Sequence, residues 1–154
     1  MALVRRKLDR PPSAVWSVLA DGRSYSGWVV GARRIRAVDD TWPDTGAHLH
    51  HALGTGAAEV KDSTKVIASE PEHRLVLEAH MGPMGTAEVE VVLEPHGSGT
   101  MVTMVEHPTG GPMRLIPAIL RDPGLCLRNR LSLVRLERLA RRRAAAGAPV
   151  GDGA

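Results

Sequence analysis

Residues 46–69 read GAHLHHALGTGAAEVKDSTKVIAS. Two runs of alternating polar and apolar residues flank Gly54-Thr55-Gly56, the pattern of two strands joined by a tight turn. With Gly54 opposite Ala57, paired residue numbers sum to 111, so Leu49 faces Asp62, His51 faces Val60 and Leu53 faces Ala58. Side chains alternate between the two faces of a strand. Ala47, Leu49, His51, Leu53, Val60, Asp62, Thr64 and Val66 therefore share one face, and His48, His50, Glu59, Lys61, Ser63 and Lys65 share the other. The second set is the solvent face. A slip of one residue would bury Glu59, Lys61 and Lys65, each at roughly several kcal/mol unless paired.

The same alternation continues outward from this hairpin. Strand-like runs cover 33–40, 46–54, 57–69, 74–81, 86–94 and 100–107, with Pro- and Gly-rich turns between them. Short links of this kind join antiparallel neighbours. Leu75, Leu77 and Ala79 point inward, as do Val89, Val91 and Leu93, and then Val102, Met104 and Glu106. Upstream, residues 2–9 form a first strand. Pro11-Pro12-Ser13 opens a helix carrying Val15, Trp16, Val18 and Leu19, and SYSGWVVG is a second short helical segment ending at Gly31. Downstream, the Pro- and Gly-rich residues 108–124 read as a gating loop with one helical turn. From Leu125 runs the strongest helix, with Leu125, Leu131, Val134, Leu136, Leu139 and Ala140 as its apolar stripe. A meander with one apolar face needs a cover, and this helix is the element large enough to provide it.

Composition narrows the class. The 154 residues are 43% hydrophobic and 24% charged, as in an ordinary globular chain, and are expected to form one domain over 1–146 with a flexible tail at 147–154. Aromatic residues make up 3% and Phe is absent, so the core must come from aliphatic side chains, with Trp16, Trp28 and Trp42 as its large pieces. A single Cys excludes an internal disulfide and any cysteine-based zinc motif. Neither a signal peptide nor a membrane-length apolar run is evident, which makes a cytoplasmic location the expectation. The net charge is +3, and basic residues gather between Arg128 and Arg143. They read first as a solvated helix face, with an RNA, anionic-lipid or protein contact as the alternative; no DNA partner is expected.

PPSAVWSVLADGRSYSGWVVG (11–31), Gly46-Ala47, KDSTKVIASEPEHRLVLEA (61–79), LEPHGSGTMVTMVE (93–106) and RNRLSLVRLERLA (128–140) together resemble the START/SRPBCC superfamily, the birch-pollen-allergen-like proteins. The resemblance is closer to its bacterial polyketide cyclase/dehydrase and lipid-transport branch. It implies an α+β helix-grip fold: a curved seven-stranded antiparallel sheet wrapped around a long C-terminal helix, with two short helices after strand 1. It also implies a cavity between sheet and helix for a small hydrophobic, lipid-like or polyketide-like ligand, without a cofactor. Members differ widely in chemistry, so no catalytic residue carries over.

Three histidines within four residues raise the question of a metal site. His48 and His50 share the solvent face with Lys61, whose charge repels a cation, so no metal is expected. His51 points inward near Asp62. An imidazole beside a carboxylate can act as an acid or base near neutral pH, can orient a ligand, or can form a structural pair, and the sequence leaves all three open. The expected ligand-lining set is Trp28, Trp42, Leu49, His51, Leu77, Val91, Met104, Glu106 and Leu131, with Met81, Met84 and Met113 adding an adaptable apolar lining. Glu106 is either a second cavity acid or a strand end at the rim, the rim being the simpler reading. No Ser-His-Asp order, phosphate-binding glycine loop or dinucleotide fingerprint occurs. Three functions follow: a ligand-binding helix-grip protein, a cyclase/dehydrase using His51 and Asp62, or an interaction module using the Arg-rich helix.

Overall fold

The computed structural model describes residues 1–53 and 59–146. Strand β1 (Ala2–Leu8) leads into helix α1 (Pro12–Leu19) and the single-turn helix α2 (Tyr25–Trp28). Strands β2 (Ala32–Val38), β3 (His48–Leu53), β4 (Val60–Glu70), β5 (Arg74–His80), β6 (Thr86–His96) and β7 (Gly99–Gly110) follow, and helix α3 (Ala118–Ala146) closes the order. The seven strands form one antiparallel sheet in the order β1-β7-β6-β5-β4-β3-β2. Register shifts in the β2/β3, β4/β5 and β6/β7 pairs introduce extra residues that bend the strands, and bending of this kind curves a sheet.

The inner face of the sheet supplies Val4, Leu8, Leu49, Val66, Leu75, Leu77, Val91, Leu93, Val102 and Met104 to the core. Val15, Val18 and Leu19 of α1, Trp28 of α2, and Leu133, Leu136 and Ala140 of α3 fill the space against it. Trp42 sits within this core, its indole nitrogen donating to the Leu19 carbonyl at 3.2 Å. Close approach is extreme where β6 begins beside the end of β7. There Gly85 has φ +110°, and a Cβ on it would lie 2.0 Å from the Gly110 carbonyl oxygen.

The β3/β4 hairpin keeps the expected faces with a different register. Paired residues are Leu49 with Thr64, His51 with Asp62 and Leu53 with Val60, a shift of two residues from the sequence expectation. A shift of two preserves which side each residue faces, because the side-chain period is two. Leu49, His51, Asp62, Thr64 and Val66 are buried together, whereas Val60, expected on the same face, lies exposed at the strand's start. The expected turn at Gly54-Thr55-Gly56 lies outside the described residues, as does the tail at 147–154.

Residues 108–124 depart most from expectation. β7 continues to Gly110, a 3-10 turn spans Pro112–Leu115, and α3 starts at Ala118, seven residues before the expected start. Pro123 is accommodated inside the helix. It removes the N–H that would pair with the Ile119 carbonyl, and that carbonyl belongs to an exposed residue in the first turn, where water can satisfy it. The helix phase also differs. Leu125, Asn129, Ser132, Leu133, Leu136, Glu137 and Ala140 are buried, while Leu131 is 48% exposed. Val134 and Leu139 are half-buried. Selecting apolar residues alone rotates the stripe, because three buried positions are polar and their partners are tertiary: Ser132 accepts from the Val30 amide at 3.0 Å, Asn129 donates to Glu106 at 2.9 Å, and Glu137 accepts from Arg6 at 3.3 Å.

Candidate functional site

A cavity of about 220 Å³ lies between the sheet and α3. Leu77, Ala79, Val89 and Met104 form its floor, Trp28 through Ala32 one wall, and Arg128, Asn129 and Ser132 an adjoining helix wall, joined to it where the Val30 amide donates to Ser132. Met81, Met84 and Met113 also line it. Of the residues expected to line it, Trp28, His51, Leu77, Met104 and Glu106 do so. Trp42, Leu49 and Val91 are core residues away from the cavity surface, and Leu131 points outward to solvent on α3.

His51 is brought to the cavity by β3 and is 3% exposed. Its ring stacks on Tyr25, centroids 5.5 Å apart, and Tyr25 meets Trp28 edge-on at 5.7 Å. His51 Nε2 lies 3.2 Å from the Thr64 hydroxyl, and the Tyr25 hydroxyl lies 3.2 Å from the same oxygen. His51 Nδ1 is buried without a partner. Burial holds the imidazole below its ordinary pKa, against an opposing pull from the Asp62 charge, and burial raises the Tyr25 phenol. The imidazole is therefore neutral at pH 7, and one of its two nitrogens carries hydrogen.

Counting the groups left unpaired favours one of them. Three protons share two contacts, and with the hydrogen on Nε2 one hydroxyl proton lacks an acceptor while the buried Nδ1 lacks a donor. In the other arrangement Tyr25 donates to Thr64, Thr64 donates to Nε2, and both hydroxyl protons are satisfied. The hydrogen then sits on His51 Nδ1, among the described residues the one buried side-chain nitrogen or oxygen without a partner.

Asp62 does not orient His51, although the two are cross-strand partners. Its oxygens accept instead from the backbone amides of Gly82 and Ser63, the latter at 2.8 Å. An Asp62–His51 acid/base dyad is thus absent from the geometry. Glu106, for which the rim was the simpler expectation, lies mid-strand because β7 runs on past it, and it is 1% exposed. It accepts from Arg128 and from Asn129, so the helix wall of the cavity is held by a buried carboxylate. On the outer face His48 and His50 stack with ring centroids 6.3 Å apart, and His48 Nδ1 lies 3.7 Å from Asp39.

Sequence reasoning passed over Tyr25, Thr64, Arg128, Asn129 and Ser132. Thr64 was already on the inward face, and Tyr25 precedes Trp28 by one helical turn, so both carried a positional signal. Asn129 and Ser132 carried one too: Asn129 falls four residues from the buried Leu125 and Leu133, and Ser132 four residues from the buried Leu136.

The model of the family described as polyketide cyclase / dehydrase and lipid transport matches residues 2–141. No curated protein matches the chain. Among solved structures, protein NE0264 of Nitrosomonas europaea is 18% identical with a TM-score of 0.72, over 93% of this chain and 95% of its own. A Staphylococcus aureus protein of unknown function is 8% identical with a TM-score of 0.72, over 94% of each chain. Ara h 8.0201 is 12% identical with a TM-score of 0.64, over 91% of this chain and 96% of its own. At these identities the likeness is one of fold, the helix-grip arrangement of sheet and terminal helix. Among the described residues no helix is long and apolar enough to cross a membrane.

Proposed function

Since this chain belongs to the polyketide cyclase/dehydrase and lipid transport family, we propose that it binds a small, mainly apolar molecule whose hydrogen-bond acceptor, most simply a carbonyl oxygen, meets His51 Nδ1–H. The observation that carries this reading is the buried, unpartnered Nδ1 on a residue of an otherwise largely apolar cavity. A donor left unpaired in the interior costs roughly 1–3 kcal/mol, and a ligand that accepts from it recovers this while its apolar body fills the space. Size restricts the class further. A cavity of roughly 150 Å³ admits benzene, so about 220 Å³ suits a one- or two-ring body better than a long acyl chain. Binding is favoured over acid/base catalysis because the Asp62 oxygens are committed to backbone amides, so no carboxylate is hydrogen-bonded to His51.

Native mass spectrometry of freshly isolated protein tests for a retained ligand. Calorimetry with 2-acetylnaphthalene and 2-ethylnaphthalene then tests the polar contact, since the two differ chiefly in the carbonyl. The wild type should prefer the ketone about five- to tenfold, the effect of one hydrogen bond, and His51→Ala should remove the preference. Nitrogen-15 shifts of the His51 ring should report the Nδ1–H tautomer. If no ligand copurifies and neither probe binds, the binding reading fails. Equal affinity for both probes leaves the cavity and removes the role of His51.

A further inference from the structure

The face of α3 turned away from the sheet changes character along its length. Leu120, Leu127, Leu131, Arg135, Arg138 and Arg142 are spaced 7, 4, 4, 3 and 4 residues apart, close to whole helical turns, so they lie in one line. That line is opposite the buried positions Asn129, Leu136 and Ala140. Its first half is bare hydrocarbon: Leu120 is 73% exposed and Leu127 61%, with Ile119 beside them at 83%. Its second half is cationic. Arg135, Arg138 and Arg142 are exposed, flank a shallow groove with Gly27 and Leu139, and form no ion pair among the described residues. Other arginines of the same helix do have partners: Arg128 holds Glu106, Arg141 holds Asp9 and Arg143 holds Asp21. The two acids within 120–142, Asp122 and Glu137, lie off the line and are paired, with Arg121 and Arg6.

We infer that this face of α3 docks on an anionic lipid surface, the leucines entering the apolar layer and the arginines meeting head-group phosphates. Leaving several large apolar side chains contiguous in water is unfavourable, and such patches mark interaction surfaces. A lipid surface matches both halves at once, because an interfacial helix buries its apolar residues shallowly while arginines reach up to the charged layer. Nucleic acid would neutralise the arginines and leave the leucines wet. A second copy of this chain docked through the same face would bring no acid to the arginines, since Asp122 and Glu137 lie off it. The line from Leu120 to Arg142 spans roughly 33 Å at 1.5 Å per residue, and the same helix lines the cavity with Arg128, Asn129 and Ser132, so the docking helix is also a wall of the ligand site.

Sedimentation with vesicles tests this, comparing pure phosphatidylcholine with phosphatidylcholine containing 30% phosphatidylglycerol at about 50 mM salt. The full chain should bind the acidic vesicles and bind the neutral ones far more weakly. Replacing Arg135, Arg138 and Arg142 together by Gln should weaken acidic-vesicle binding on the order of 100-fold, at about fivefold for each basic residue near such a surface. Replacing Leu120, Leu127 and Leu131 by Ser should abolish the binding that persists at 0.5 M salt; the single Leu127→Ser variant serves if the triple fails to fold. Both variants should keep wild-type affinity for the naphthalene probes, so this inference and the cavity reading fail separately. It is overturned if the wild type ignores acidic vesicles at low salt, or if neither set of substitutions changes binding. A doubled mass in solution, lost in the leucine variant and without vesicle binding, would assign the face to a second copy instead.

Discussion

The pairing of Glu106 with Arg128 gives a quantitative test of how the helix wall is held. Glu106 is 1% exposed, and its carboxylate accepts from the Arg128 guanidinium and from Asn129 Nδ2 at 2.9 Å. Removing one partner from a fully buried ion pair typically costs about 3–5 kcal/mol, because the other charge stays desolvated and uncompensated. Arg128 retains 31% side-chain exposure, so water reaches that end and screens part of the interaction. Arg128→Gln should therefore cost about 2 kcal/mol, or about 4–8 °C in Tm for a chain of this length. Glu106→Gln should cost about 1.5 kcal/mol, since its amide oxygen can still accept from Asn129. The double variant should lose about 2 kcal/mol rather than the 3.5 or so of the sum, because no isolated charge remains. Urea unfolding followed by far-ultraviolet circular dichroism gives all four corners of the cycle, provided the slopes agree. Single losses that add within about 0.5 kcal/mol would mean the two groups are energetically independent, and the argument for a charge-held wall would collapse.

Three further outcomes follow from positions already described. Leu136→Ala should cost about 2–5 kcal/mol and Leu131→Ala less than about 0.5 kcal/mol; comparable losses in urea midpoints would put the helix in the phase that its apolar residues alone suggest. Gly85→Ala should cost more than about 2 kcal/mol, since it combines a strained positive φ with overlap on the Gly110 carbonyl, and a near-neutral effect on Tm would contradict that approach. Because the folded His51 pKa lies below its ordinary value of 6.5, the unfolded chain binds the proton more readily. The stability from neutral His51 is full above about pH 6.5 and falls as pH drops below it. His51→Leu should accordingly gain stability relative to the wild type between pH 7.5 and pH 5.5, and parallel pH curves for the two proteins would refute the linkage.

Local pattern was sufficient for the strand order and for the faces of β3 through β7, because alternation in a strand is a property of the backbone and survives a register error of two. It was therefore sufficient to send His51 inward and His48 and His50 outward. The sequence pattern could not supply the hydrogen-bond partners. Asp62 was the carboxylate nearest His51 along the paired strands, yet its oxygens are captured by the Gly82 and Ser63 amides. The histidine instead takes Thr64, with Tyr25 arriving from a helix 26 residues upstream of it. Likewise the Pro- and Gly-rich run before Leu125 carried every local sign of a loop, and the helix extends through it because Pro123 sits in an exposed early turn. Asn129, Ser132 and Glu137 looked like surface residues, and each is buried against a partner brought from β7, the segment after α2 or β1. Alternation and spacing are written into neighbouring residues, so they can be read along the chain. Which polar groups meet, and which helix face is covered, depends on atoms distant in sequence, and those meet when the sheet closes over α3.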